Sequence, residues 1–288
     1  MHKLLNGVGT FLLASVIAVA ILLVGQALWG GLVLVNLKLS PAIPWAGVVM
    51  IPLLAVIVMA LGGIGWPRAG AATRRRLVPL RPVPWRVFAW AMVASAFGIA
   101  ALAGLWIVLA GLTKTAPNAL PSVRGVPPFT VAVILVVSIM AAPITEEIAF
   151  RGYVMGMLRR VVSPTWAILI SSLLFAFAHL TQGLYADKLL VYFLAGIGIA
   201  FVAYRTGSLI PAMIAHSAAD LTFFTLVWPH DAGRRLVSDG GADAWFWIHV
   251  GQVILFGGLC IWANLRLAKV TAGGPQAATP LLAHPAPA

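Results

Sequence analysis

Long apolar runs dominate this chain, and their length leaves few folds open to it. Eight of them are candidate membrane spans: Leu4–Val35, Ile43–Gly65, Val87–Leu112, Phe129–Leu158, Thr165–Leu180, Leu189–Tyr204, Leu209–Trp228 and Ala244–Leu265. Crossing the hydrocarbon core takes about 20 apolar residues in a helix. A helix satisfies its own backbone N–H and C=O groups, which lipid cannot do. The expected fold is therefore all-α, a polytopic transmembrane helical bundle of about eight spans. Proline and glycine mark the joints, as in "SPAIP" at 40–44, "VPPF" at 126–129 and "GSLIP" at 207–211.

Composition agrees: 61% of residues are hydrophobic and 9% charged, where a soluble domain carries about a quarter charged residues. The net charge of +12 raises the question of a nucleic-acid partner. The arginines answer it, because Arg68, Arg74, Arg75, Arg76, Arg81 and Arg86 fall in one loop between two apolar runs. That is the pattern of a cytoplasmic loop, so the partner implied is the lipid bilayer and no nucleic acid. With eight spans, both termini are expected on the cytoplasmic side. The first apolar run continues well past the roughly 7–15 residues of a signal-peptide core and reads as a retained helix. A single cysteine, Cys260, excludes an intramolecular disulfide. Residues 1–270 form one multi-pass membrane domain. The stretch 271–288, "TAGGPQAATPLLAHPAPA", is expected to be a disordered cytoplasmic tail. The Ala-, Val- and Arg-rich composition points to a GC-rich bacterial genome, hence to a cell (plasma) membrane.

Against this background, "ITEEIAFRGYVMGMLRR" at 144–160 stands out. Glu146 and Glu147 are the only glutamates, and no Asp or Glu precedes them. Ionisable groups inside membrane helices cost at least ~2.5–3.5 kcal/mol each on insertion scales, so each needs a partner or a task. Glu147 and Arg151 are four residues apart on one helix face and can pair. Glu146 is turned about 100° away and cannot share that geometry equally. One carboxylate is thus structural, the other a candidate general base, and the two titrate as a coupled pair. Phe175 and His179 in "FAFAH" repeat the four-residue interval, as do His216 and Asp220 in "HSAAD". A rise of about 1.5 Å per residue puts Glu146 and His179 ~20 Å, Asp220 ~17 Å and His216 ~10 Å from the arginine-rich side. The four can meet inside the bilayer.

These residues resemble the CPBP family, the CAAX-protease and bacteriocin-processing intramembrane enzymes, also called Abi. Its motifs are EExxxR, FxxxH and HxxxN, the last position sometimes being Asp. Here they read Glu146-Glu147-Ile-Ala-Phe-Arg151, Phe175-Ala-Phe-Ala-His179 and His216-Ser-Ala-Ala-Asp220, within a core at 128–228. The resemblance implies an eight-helix intramembrane endopeptidase with a conical cavity open to the cytoplasm. Glu146 would activate water, with His179 assisting. Glu147 and Arg151 would hold the helix and its charges. His216 and Asp220 would face the carbonyl oxygen of a membrane-associated peptide or protein substrate, and Phe175 would lie against that substrate. Because aspartate in place of asparagine offers no N–H, Asp220 is expected to orient His216 as a charged donor. No cofactor is expected; the alternative is zinc, which suits two carboxylates and two histidines chemically. Two other readings use the same residues: a proton-coupled transporter with a Glu/His/Asp relay, and a non-catalytic immunity or scaffold protein. Hydrogen-bond glue between helices explains a lone His or Asp, but not an adjacent Glu pair.

Overall fold

The computed structural model describes residues 2–113 and 123–272. All regular structure among them is helical. We number the helices α1 (Asn6–Leu39), α2 (Trp45–Leu61), α3 (Ala71–Leu77), α4 (Trp85–Leu112), α5 (Pro128–Leu158), α6 (Pro164–Gln182), α7 (Ala186–Thr206), α8 (Leu209–Asp231) and α9 (Ala244–Thr271). Seven of them, all but α2 and α3, are long and apolar enough to cross a membrane. The expected polytopic bundle is what forms. From residue 273 on, the expected tail lies outside the described residues.

The second span is shorter than its apolar pattern. Helix α2 has 17 residues, about 25 Å at the α-helical rise, a little less than the hydrocarbon core. Pro44 precedes it and Gly62-Gly63 end it, with Gly63 at φ +69°. A side chain at Gly63 would meet the Ala71 carbonyl, so the chain turns there at close quarters.

Glycines set how closely the long helices approach. A Cβ at Gly25 would lie 2.6 Å from Thr145 Cγ2, one at Gly47 2.7 Å from Val133 Cγ1, and one at Gly196 3.0 Å from Ser172 Cβ. These glycines seat α1 and α2 on α5, and α7 on α6. Without a hydrophobic drive between helices in lipid, such close backbone packing supplies much of the attraction. The "AGIGIA" pair divides here: Gly196 sits at a helix seam, whereas Gly198 faces open space. Helix α9 lies along α4, tied by Gln252 Nε2 donating to the Ala100 carbonyl at 2.7 Å.

The six-arginine loop is not a free solvated strand. Helix α3 and the segment after it fold back as a strap over the ends of α5 and the α7–α8 turn. Leu77 and Val78 are buried against Gly156 and Gly152. Ser208 Oγ donates to the Arg81 carbonyl at 2.6 Å, and Leu209 N donates to the Pro79 carbonyl at 3.0 Å. Tyr153 Oη donates to the Leu61 carbonyl at 3.0 Å.

Three long helices widen into π-helical turns: α1 at Leu23–Ala27, α5 at Ile148–Val154 and α8 at Phe223–Val227. Such turns gather at functional sites, because the extra residue re-aims the side chains around it. The first two carry Gln26 and Arg151, and the third begins three residues after Asp220.

Candidate active site

Helix α5 places its acidic pair halfway along its length, where Pro143 has already removed one rung of the hydrogen-bond ladder. Glu147 Oε1 lies 3.1 Å from Arg151 Nη1, with both side chains fully buried. Arg151 Nη2 donates to the Gly196 carbonyl at 3.0 Å, and its guanidinium lies over the Phe175 ring, 4.5 Å from the centroid. The charge therefore has a carboxylate, a carbonyl and an aromatic face for company in a site without bulk water. Burial of such a pair is costly, and here it is offset only in part: Arg151 Nε and Nη1 and Glu147 Oε2 have no hydrogen-bond partner among the described residues.

Helix α8 adds the histidine. His216 Nδ1 lies 2.8 Å from the same Glu147 Oε1. Its Nε2 faces two other carboxylates, 3.8 Å from Glu146 Oε2 and 3.7 Å from Asp220 Oδ1. The structure thus joins Glu146, Glu147, Arg151, His216 and Asp220 in one cluster. Glu147 reaches a ring nitrogen of His216 at hydrogen-bond distance, while Asp220 meets the other ring nitrogen at ion-pair distance only. Under the function proposed below, Asp220→Asn is expected to keep cleavage within about tenfold of the parent, read from initial rates on a labelled membrane peptide.

The second motif contributes differently. Phe175 is 2% exposed, with its ring edge-on to His216 at 5.5 Å and to Phe150 at 5.5 Å. From this position it supports the cluster from within. His179 caps the end of α6, its Nδ1 2.8 Å from the Phe175 carbonyl and its ring stacked on Tyr192 at 4.1 Å. Donating from Nδ1 leaves Nε2 as the free nitrogen. No carboxylate among the described residues comes within ion-pair distance of His179, so it flanks Glu146 without touching it.

One participant has no place in the three motifs. Gln26 of α1 donates from Nε2 to Glu146 Oε1. Gly25 makes this possible by letting α1 press against Thr145, next to Glu146. The sequence does carry a signal: Gln26 is the one amide side chain between Asn6 and Asn36, in an otherwise apolar run. With Oε1 taken, Glu146 Oε2 is left buried and without a hydrogen-bond partner. Under the function proposed below, Gln26→Leu is expected to lower kcat about tenfold with little change in KM, because it frees Glu146 to rotate without removing a contact to substrate.

On the far side of the cluster from the arginine-rich end, α4, α7 and α8 close the bundle with aromatic side chains. Trp106 meets Tyr192, Phe223 and Trp228 at centroid distances of 6.2, 5.8 and 6.0 Å, and its Nε1 donates to Asp231.

Among the curated proteins and the solved structures, nothing matches the chain. The scan against family models does find a match, over residues 128–222, to the family described as type II CAAX prenyl endopeptidase Rce1-like. That interval opens with α5 and ends just after Asp220, so it holds all three motifs and with them Glu146, Glu147, Arg151, His179, His216 and Asp220. The segment that builds the buried Glu146, Glu147 and His216 cluster matches the CAAX-protease (CPBP) family.

Proposed function

We propose that this protein is an intramembrane endopeptidase that hydrolyses a peptide bond of a membrane-associated peptide or protein. One observation carries the proposal: Glu146 Oε2 is buried, has no hydrogen-bond partner, and lies 3.8 Å from His216 Nε2. A gap of that size between polar atoms suits a bridging water. Glu146 Oε2 takes a proton from that water as its oxygen attacks the carbonyl carbon. The proton then passes to the departing amine, as general acid–base catalysis of amide hydrolysis requires. With Nδ1–H held by Glu147, His216 gains a second N–H at Nε2 as the imidazolium. That N–H faces the developing oxyanion. Glu147 sits between Arg151 and His216, opposite in charge to both, and fixes their positions. His179, through its free Nε2, assists from the flank.

We read the site as working without a metal, with zinc as the alternative that chelation tests. Glu147 Oε1 is already committed to Arg151 and His216, which supports that reading. A proton relay across the membrane also fits less well, because the aromatic layer around Trp106 closes one side of the cluster. In this reading the arginine-rich end and both termini face the cytoplasm of a bacterial cell, and the cluster is reached from that side.

The test compares new peptide termini in membranes that carry the intact protein with those in membranes that carry Glu146→Gln. Termini that depend on Glu146 and persist after chelator treatment support the reading. Identical sets of termini from the two would overturn it.

A further inference from the structure

At the arginine-rich end, a cavity of about 470 Å³ opens between the strap, the end of α5 and the α7–α8 turn. Arg75, Arg76, Arg81, Arg159 and Arg160 line it, with the buried Arg151 at its inner wall. None of its lining residues is acidic. The five outer arginines come from two segments far apart in sequence, so proximity along the chain does not explain their meeting.

The positive-inside rule accounts for arginines on this side of a membrane protein, but only as charge spread along loops. Here the strap is hydrogen-bonded down onto the bundle, and its guanidinium groups are held around one concavity. Arg75 Nη1 donates to the Gly63 carbonyl at 2.8 Å, and Arg81 Nε to the Gly207 carbonyl at 2.9 Å. Arg159 lies over the Tyr204 ring, 4.8 Å from its centroid. Each of these contacts fixes a guanidinium while leaving further N–H donors for another partner. Arg76 and Arg160 are exposed and have no carboxylate partner among the described residues. Gathering like charges this way is unfavourable unless an anion shares the space. Leu77, Leu80, Met155 and Leu209 supply apolar wall between the arginines.

We propose that this cavity binds a phosphate group, carried by the headgroup of an anionic phospholipid. Several planar forks around a concavity match the tetrahedral oxygens of phosphate, which guanidinium groups engage in pairs. Basic pockets between membrane helices on the positively charged side take such headgroups, and the apolar wall accommodates the adjoining glycerol and acyl carbons.

The experiment uses the full chain in detergent, with lipid retention read by native mass spectrometry. Phosphatidylglycerol and phosphatidylcholine are offered in turn, and inorganic phosphate is then titrated against bound lipid. The intact protein is expected to retain one phosphatidylglycerol in preference to phosphatidylcholine. The double variant Arg76→Gln/Arg160→Gln is expected to lose that retention by about tenfold or more. Arg76→Lys/Arg160→Lys, which keeps the charge, should recover part of it. Arg86→Gln/Arg266→Gln removes two exposed arginines outside the cavity and should change nothing. Equal loss in that control pair, or no preference for the anionic lipid, would overturn the site. If inorganic phosphate displaces the lipid and by itself raises the melting temperature as far, the occupant is the free anion, and the lipid assignment falls.

Discussion

Glu146→Gln is expected to reduce peptide cleavage by about a thousandfold while leaving the melting temperature of the purified protein unchanged. The two halves of that result come from different atoms of one side chain. Gln26 donates to Oε1, and the amide oxygen of glutamine accepts the same hydrogen bond in the same place. The substitution is nearly isosteric, so the seating of α1 on α5 through Gly25 survives. What is lost is the ability of Oε2 to take a proton, and general-base catalysis contributes about 10²–10⁴-fold in enzymes. Removing a carboxylate from a crowd of three also relieves repulsion, which argues against unfolding as the cause of lost activity. Parallel kcat and thermal-unfolding measurements check both halves. A variant that cleaves at the parental rate would remove Glu146 from the mechanism. Inactivity together with a collapsed melting curve would make the residue structural.

The second large effect is on stability. Arg151→Met is expected to destabilise the bundle by about 3–5 kcal/mol, the usual consequence of leaving one member of a buried ion pair alone. Methionine matches much of the arginine stem in volume, so packing against Phe175 is largely kept and charge is the main change. Glu147 then has only His216 as counter-charge, in a buried site. The double variant Glu147→Gln/Arg151→Met should recover a substantial part of the loss, since both charges leave together. A double-mutant cycle from denaturant titrations measures the coupling. Additive losses would mean that Glu147 and Arg151 act independently, against the 3.1 Å contact between them.

Periodicity and length were enough to foresee the helical bundle and the rough place of each span, because lipid leaves the backbone no other open-ended solution. The Glu147–Arg151 pair was legible for a related reason: its geometry is set within one helix by the i, i+4 spacing. Contacts between helices were not. That Glu147 reaches His216 at hydrogen-bond distance depends on how α5 and α8 are rotated about their axes, and the π-helical turn at Ile148–Val154 shifts that rotation. No spacing rule announces such a turn. Gln26 illustrates the opposite limit. Its polarity was visible in the sequence, but its partner lies 120 positions away and belongs to a different helix. The strap was hidden because a run of arginines between apolar segments reads as a solvated loop. Only Leu77 and Val78, two apolar residues beside three arginines, hinted that it docks.

Gly196 joins two quantities that are usually independent. Its missing side chain sets the spacing of α6 and α7, and its carbonyl receives Arg151. Drawing α7 away from α6 would also draw that carbonyl away from the buried Arg151 of α5. The seam is therefore electrically locked as well as close-packed. Any displacement of α7 at that seam reaches the charge network at the bundle's centre.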